Sequence, residues 1–434
     1  MTRRIAMARA IPLLAAVLGL LAAAAPAAPA QDAGGDVFDT STFDQAVQQG
    51  TQQDQKAKLE TQFGGSLLYD TSATTTASFD GYGASGSFSG KAFVKVSVPD
   101  TASAYLAYNF SKNLYQGAAG TVAGAPLGPS GPVLSQAAGD LYGASYALAE
   151  IYLSVDIARA VFFRIGNQLL AWGPSLIWTP VDFVNLERVN PLSPLDLRVG
   201  KPGIKATVPL GISNIFLFVD LSRTVTSGAG GALVVNDPVR STTLAARWDL
   251  TVLGYELALT GMSGLDVQSR AGLDFSGRLL GFDVYGELAA AVPTGSYGFS
   301  WSASLGTQRT LGELGYWSTA AELYYNESGT SDVTAYPGLA AAQALNPLYV
   351  GQWYAYASSA RAHLLVDGVS ATLAGFADFS DGSFLARLST TIDVPKVPPF
   401  TFSVSWAGGG EGKAFTYFTG NNSLTAELQM RVAF

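Results

Sequence analysis

The sequence predicts a transmembrane antiparallel β-barrel, and three observations carry that expectation: sparse charge, no segment able to form a spanning helix, and a two-residue period that runs to the C-terminus. Of 434 residues, 48% are hydrophobic and only 13% charged, about half the charged share of a soluble domain. Past residue 30, Gly, Ser, Thr or a charge interrupts every apolar run before it reaches the roughly 18 residues that a spanning helix needs. A chain this apolar must then satisfy its backbone hydrogen bonds between strands, in a closed sheet. Cysteine is absent, which excludes a disulfide scaffold, a Cys-based zinc site and a dithiol redox motif. The net charge of −8 opposes nucleic-acid binding, which requires a basic footprint.

The elements follow in chain order. Residues 1–30 have the form of a cleaved signal peptide: Arg3, Arg4 and Arg9 form a positive start, Ile11 to Ala25 an apolar stretch, and Ala28-Pro29-Ala30 a small-x-small processing site before Gln31. Residues 31–61 are polar, with Gln48, Gln49, Gln52, Gln53 and Gln55, and are expected to be a periplasmic linker, a short helix or a plug. Residues 62–434 are assigned to the barrel.

Within 62–434 the faces separate by charge. In 242–252, Leu244, Ala246, Trp248, Leu250 and Val252 alternate with Thr243, Arg247, Asp249 and Thr251. In 267–279, Gln268, Arg270, Asp274, Ser276 and Arg278 oppose Val267, Ala271, Leu273, Phe275 and Leu279, and in 280–290 Asp283, Tyr285 and Glu287 oppose Leu280, Phe282, Val284 and Leu288. Ala92, Val94, Val96 and Val98 oppose Lys91 and Lys95, while Ala147, Ala149, Ile151, Leu153 and Val155 oppose Glu150, Tyr152, Ser154 and Asp156. Successive side chains of a strand point to opposite faces, so one set meets lipid and the other a polar lumen. The candidate lumen charges are Glu150, Arg247, Asp249, Glu256, Arg270, Asp274, Arg278, Asp283, Glu287, Arg361 and Arg387. Counted over all readable strands, Lys91, Lys95, Arg247, Arg270, Arg278, Arg361, Arg387 and Arg431 face Glu150, Asp156, Asp249, Glu256, Asp274, Asp283, Glu287, Glu322, Asp367, Asp378, Asp393 and Glu427. That acidic excess predicts a weak preference for cations.

Candidate strand cores lie near 63–70, 75–83, 87–98 and at sixteen further places down to 422–434. Single-chain bacterial barrels have even strand numbers, so at least one core must be an extension or a loop; the expectation is sixteen strands, within a range of fourteen to eighteen. Long connections at 113–139, 171–201, 224–239 and 328–355 contrast with short turns elsewhere, which places the long loops on one side.

One stretch departs from the period: Gly166-Asn167-Gln168, then Ala171-Trp172-Gly173-Pro174, then Trp178-Thr179-Pro180-Val181-Asp182-Phe183-Val184-Asn185. It resembles a G-x-Q…WG…P-x-D…N signature of porin-like Gram-negative outer-membrane barrels, including the alginate-export type. The likeness covers about twenty residues, and it implies a porin-like barrel. Pro174, Pro180, Pro191, Pro194 and Pro202 stiffen a segment that cannot be regular strand. Its candidate constriction residues are Gln168, Trp172, Gly173, Pro180, Asp182, Asn185, Glu187 and Arg188, on a loop long enough to fold into the lumen. At the other end Leu424, Ala426, Leu428, Met430, Val432 and Phe434 occupy every second position. This resembles the terminal signal of outer-membrane barrels, with Phe434 as the residue that the barrel-assembly machinery reads.

No enzyme chemistry is legible. The single histidine, His363, sits in an alternation with Arg361 and Asp367 that places it in the lumen, where it has no assignable triad. One histidine without cysteine makes no metal set of known spacing, and Gly408-Gly409-Gly410 lacks the Lys-Ser/Thr of a phosphate loop. No cofactor is expected. The leading expectation is an outer-membrane channel for passive diffusion of small hydrophilic solutes. The alternative is a transporter of hydrophobic substrates plugged by residues 31–61, and an adhesin or enzyme comes last. The expected partners are outer-membrane lipids, the assembly machinery and small solutes; no feature specifies an oligomeric state.

Overall fold

The computed structural model describes residues 59–79, 81–119, 139–141, 144–185, 190–227, 233–293, 298–312, 316–342, 345–419 and 422–434. The signal peptide and nearly all of the polar segment 31–61 lie outside them. The strands are β1 (Glu60–Thr76), β2 (Tyr82–Val98), β3 (Ala102–Ala119), β4 (Gly139–Leu141), β5 (Ala144–Ile157), β6 (Val161–Gln168), β7 (Lys201–Pro209) and β8 (Ser213–Asp220). They continue as β9 (Val225–Ser227), β10 (Leu233–Val235), β11 (Thr243–Val252), β12 (Tyr255–Gly264), β13 (Val267–Leu279), β14 (Phe282–Ala291) and β15 (Ser300–Leu311). The last are β16 (Trp317–Asn326), β17 (Trp353–Arg361), β18 (Val369–Asp378), β19 (Ser383–Ile392), β20 (Phe400–Gly408) and β21 (Ser423–Ala433).

Eighteen of these form the wall. Each wall strand pairs antiparallel with its neighbours in chain order, and β1 closes on β21 from Ser66 opposite Ala433 to Thr76 opposite Ser423. The three-residue β4 pairs only with β5, and β9 with β10 forms a separate ribbon. The expected sixteen strands are therefore corrected to eighteen. The surplus core at 75–83 is a turn: β1 and β2 are 17 residues each, far longer than the roughly 9–11 that cross a bilayer. Their Thr-, Ser- and Gly-rich ends lack the apolar row, so they look like separate short strands in the sequence. Thr76 O accepts from Phe79 N at 3.0 Å to close the turn, with Phe79 at φ 59°.

Antiparallel order sorts the connections by end. One end carries 120–143, 169–200, 221–242, 327–352 and 409–422; the other carries turns of two to seven residues, such as 253–254 and 280–281. Leu253-Gly254 and Leu280-Gly281 have φ of 52° and 81°, and 53° and 82°, the paired positive values of a two-residue hairpin that twists with its strands. Long loops thus share one side, and the sequence had not marked 409–422 among them.

The outer surface is the apolar row. Leu244, Trp248, Leu257, Leu259, Leu273, Leu288, Leu305, Leu323, Leu373, Leu388, Phe402 and Leu428 are all exposed, and only lipid makes such a belt stable. Trp301, Tyr325 and Trp353 stack side by side at the loop end of that face, with ring centroids 4.4 and 4.6 Å apart, and Trp248 and Trp317 stand near the turn end. Rings with one polar edge favour those two depths.

Two assigned faces change. Ala107 pairs with Glu150 but Tyr108 with Leu148, so Ala149 is a bulge; below it Tyr146 and Leu148 take the outward row while Ala147 is buried inside. Arg361, expected in the lumen, pairs with outward Trp317 and lies over its ring at 5.8 Å. The alternation had been extended past the strand end. His363 lies beyond it in the turn 362–368 at φ 52°, 2.9 Å from Asp367 and with its ring 4.3 Å from that of Tyr316.

Candidate functional site: a loop packed inside the barrel

The segment 169–200 leaves β6 and turns into the lumen. Its start is fixed by residues of the G-x-Q stretch. Gly166 has φ 133°, and a Cβ there would lie 2.2 Å from Ile151 O, so only glycine permits the chain to pass so close to β5. Gln168 is fully buried and donates to Arg164 O at 3.2 Å. Asn167 donates to Ala149 O at 3.2 Å.

The loop then crosses to the far wall. Trp172 packs with Leu170, Val184, Phe218 and Ala245 against β8 and β11. Two wall carboxylates receive its backbone. Glu287 on β14 accepts Ser175 N at 2.9 Å and Val181 N at 3.0 Å, and Glu322 on β16 accepts Leu176 N at 2.9 Å and Trp178 N at 2.8 Å. Tyr285 OH also donates to Glu322, at 3.0 Å. Gly173 is at φ 99°, and a Cβ would stand 2.3 Å from Glu287 Oε1, so a side chain there would displace the carboxylate.

Trp178 is the centre of the aromatic packing. It is fully buried, stacks on Tyr324 at 5.4 Å and meets Tyr354 and Phe376. Its Nε1 donates to Leu348 O at 2.8 Å, in the loop 327–352. Phe415 of the loop 409–422 joins the same cluster, and Asp381 ties these loops by accepting Tyr336 OH at 3.2 Å and Ala414 N at 2.7 Å. Three loops therefore share one core within the barrel mouth.

The remaining motif residues close the loop on itself. Pro180 and Asp182 are buried, and Asn185 Nδ2 donates to both Asp182 oxygens, at 3.1 and 3.0 Å. Glu187 and Arg188 lie outside the described residues. On the return path Leu195 and Leu197 pack on Leu68 of β1, and Asn109 Nδ2 donates to Leu197 O at 2.6 Å. Burial alone would raise the Asp196 carboxyl, yet the Arg198 guanidinium at 2.7 Å holds it below the usual carboxylate range.

The lumen charges are mostly paired. Arg247 lies 2.6 Å from both Asp274 and Asp249, Lys91 3.1 Å from Glu150, and Lys201 3.0 Å from Asp220. Arg387 binds Glu427, which also accepts from Gln429 at 2.9 Å. Arg278 lies 3.6 Å from Asp283 near the turn end, and Glu256 accepts from Ser276 at 3.3 Å. Arg270 shares the inward row of β13 with Asp274 and Arg278. Sequence reasoning missed Asp70, Arg164, Lys201, Lys205 and Asp220 on this surface. It also missed a ring row across β2, β3 and β5, in which Phe93, Tyr105 and Tyr152 stack at 5.7 and 5.0 Å beneath Arg164. Their strands mix aromatic and charged residues on one face, so a simple apolar-against-polar count passes over them.

No known protein family matches the chain, and no curated protein matches it. Solved structures do resemble it. A BenF-like porin from Pseudomonas fluorescens Pf-5 superposes with a TM-score of 0.53 at 11% identity, covering 86% of this chain and 98% of the other. OpdK of Pseudomonas aeruginosa, solved with vanillate, gives 0.52 at 10% identity, and OpdG of the same organism 0.52 at 9%, each with the same coverage. The fold is that of a porin: a closed barrel with long loops at one mouth.

Proposed function

We propose that this chain is an outer-membrane channel through which small hydrophilic solutes diffuse passively, with the loop 169–200 as its constriction. The observation that carries the reading is the division of surfaces: an apolar belt outside, a charged and hydroxyl-bearing wall inside, and a loop whose described residues pack across the lumen. Barrels of this strand number enclose an aqueous channel unless something fills it. Against a lateral exit for hydrophobic substrates stands the β1–β21 seam, paired over its whole length. The constriction reading extends to Gln168, Trp172, Gly173, Pro180, Asp182 and Asn185, which hold the loop in place, and the likeness to porins solved from Pseudomonas supports it at the level of fold. The resemblance to alginate-export-type barrels rests on this loop and on the terminal alternation that ends at Phe434. Planar-bilayer recording of the purified barrel, with swelling of proteoliposomes in neutral solutes of graded size, tests the proposal. Stepwise conductance and a size cut-off are expected. A correctly folded, inserted barrel that passes neither ions nor small sugars would overturn it.

A further inference from the structure

We propose that Glu287 and Glu322 are positioning residues that set the aperture by clasping the inner loop through its backbone. This rests on the channel reading above. Both acids lie on inward rows, where sequence alone makes them permeation charges, yet they are 4% and 1% exposed and lie behind the loop rather than before the solute. Their partners are the consecutive amides of Ser175, Leu176, Ile177 and Trp178, together with Val181. Pro174 and Pro180, which have no N–H, flank the run on one side and interrupt it on the other.

A carboxyl group suits this task because its two oxygens can accept several bonds, and each N–H only donates. Among the described residues no salt bridge joins either acid to a basic side chain, and loop amides and the Tyr285 hydroxyl are their hydrogen-bond partners. Ser175 and Ser304 add one side-chain contact, with their hydroxyls 2.7 Å apart. Gly173 leaves room for Glu287 to reach in. The clasp therefore fixes where the loop stands without using the loop's own charged residues. Replacing either acid by its amide keeps the shape but turns one oxygen into an NH₂ donor that faces N–H donors.

The test uses the full chain, purified and reconstituted. Glu322→Gln and Glu287→Gln are compared with wild type and with Asp393→Asn, which alters an exposed residue in the turn after β19. Two readouts are taken: single-channel conductance, and the labelling rate of a thiol introduced by Ser175→Cys, a position that is buried. Both clasp variants should conduct more than wild type. Their thiol should label about tenfold faster, the change expected when one hydrogen bond no longer opposes local opening. The chain has no cysteine, so Ser175→Cys with Ser304→Cys can tether the loop to β15 cleanly. Added to Glu322→Gln, the oxidised tether should restore the wild-type conductance, and reduction should remove it again.

Unchanged conductance and labelling in both clasp variants would overturn the proposal. So would a conductance rise that the oxidised tether fails to reverse, because the acid would then act on permeation directly. If no variant conducts, the channel reading fails on its own, and the labelling rates still decide whether the acids hold the loop.

Discussion

Leu273 and Asp274 are neighbours in the chain and face different solvents. Leu273 is 46% exposed on the outer belt, while Asp274 is 4% exposed and takes two hydrogen bonds from Arg247. Leu273→Lys should cost about 2–4 kcal/mol if the residue lies near the bilayer midplane. The structure separates two inward acids that the sequence treats alike. Asp274→Asn should cost about 1.5–3 kcal/mol, since it neutralises the buried acid that takes two hydrogen bonds from the Arg247 guanidinium, whereas Asp249→Asn leaves that two-bond pair intact and should be milder. Urea titrations of the refolded barrel check the order, and a lysine at 273 tolerated as well as an asparagine at 249 would reverse the assigned faces. Residues of this kind were legible because burial on one face and lipid on the other enforce a strict period of two. Legibility failed at Ala149 and Arg361 for a local reason: a bulge inserts one residue and flips the parity, and Arg361 closes the last pair of β17 on the outward row, while the charged residues after it lie in a turn where parity has no meaning.

At the scale of elements, the loop 169–200 announced itself through its prolines and tryptophans, but its partners did not. Glu322 is 144 residues from Trp178 in the chain, and nothing in either sequence neighbourhood shows that the two meet. Trp178→Ala should remove the stack on Tyr324 and the bond to Leu348 at once, a loss of about 3–5 kcal/mol by the usual cost of truncating a buried aromatic. Because three loops share that core, the expected result is a raised and noisier conductance with the wall intact, measured beside the heat-modified gel shift of the barrel. Wild-type current from a folded variant would mean that the loop does not define the aperture. The last strand makes a second case. Phe434 exchanges backbone hydrogen bonds with Gly65 at 2.9 and 3.1 Å, and its ring is 66% exposed. Exposed in the finished barrel, the terminal aromatic is accessible for the recognition that the sequence analysis expects of it. Deleting Phe434 should lower the amount of assembled barrel in the outer membrane while export across the inner membrane continues; normal assembled levels would refute that role.

For the whole molecule, the architecture was readable and the strand number was not, since β1 and β2 run past the bilayer and their polar ends carry no lipid signal. The same extension of view changes the charge of the lumen. With pairing parity known, the inward bases are Lys91, Lys95, Arg164, Lys201, Lys205, Arg247, Arg270, Arg278, Arg387 and Arg431. The inward acids are Glu60, Asp70, Glu150, Asp156, Asp220, Asp249, Glu256, Asp274, Asp283, Glu287, Glu322, Asp378 and Glu427. Arg361, Asp367 and Asp393 leave the count, because none of them stands on an inward strand row. Ten bases against thirteen acids is a smaller excess than the sequence alone gives, and two of the acids are covered by the loop. The acidic excess still predicts a preference for cations, because a low-dielectric wall focuses even a small imbalance, but salt near 0.15 M screens charges beyond about 8 Å. Reversal potentials across a tenfold salt gradient should therefore show a modest cation preference at low ionic strength that fades as salt rises. The charges are also unevenly placed: Arg164 and Lys205 stand at mid-strand on one part of the wall, whereas Glu256 and Asp283 stand near the turn-end mouth on another. Arg164→Gln should then increase the cation preference, and Glu256→Gln should reduce it. Anion selectivity in the wild-type barrel at low salt would show that the bases govern permeation and the acids serve the loops.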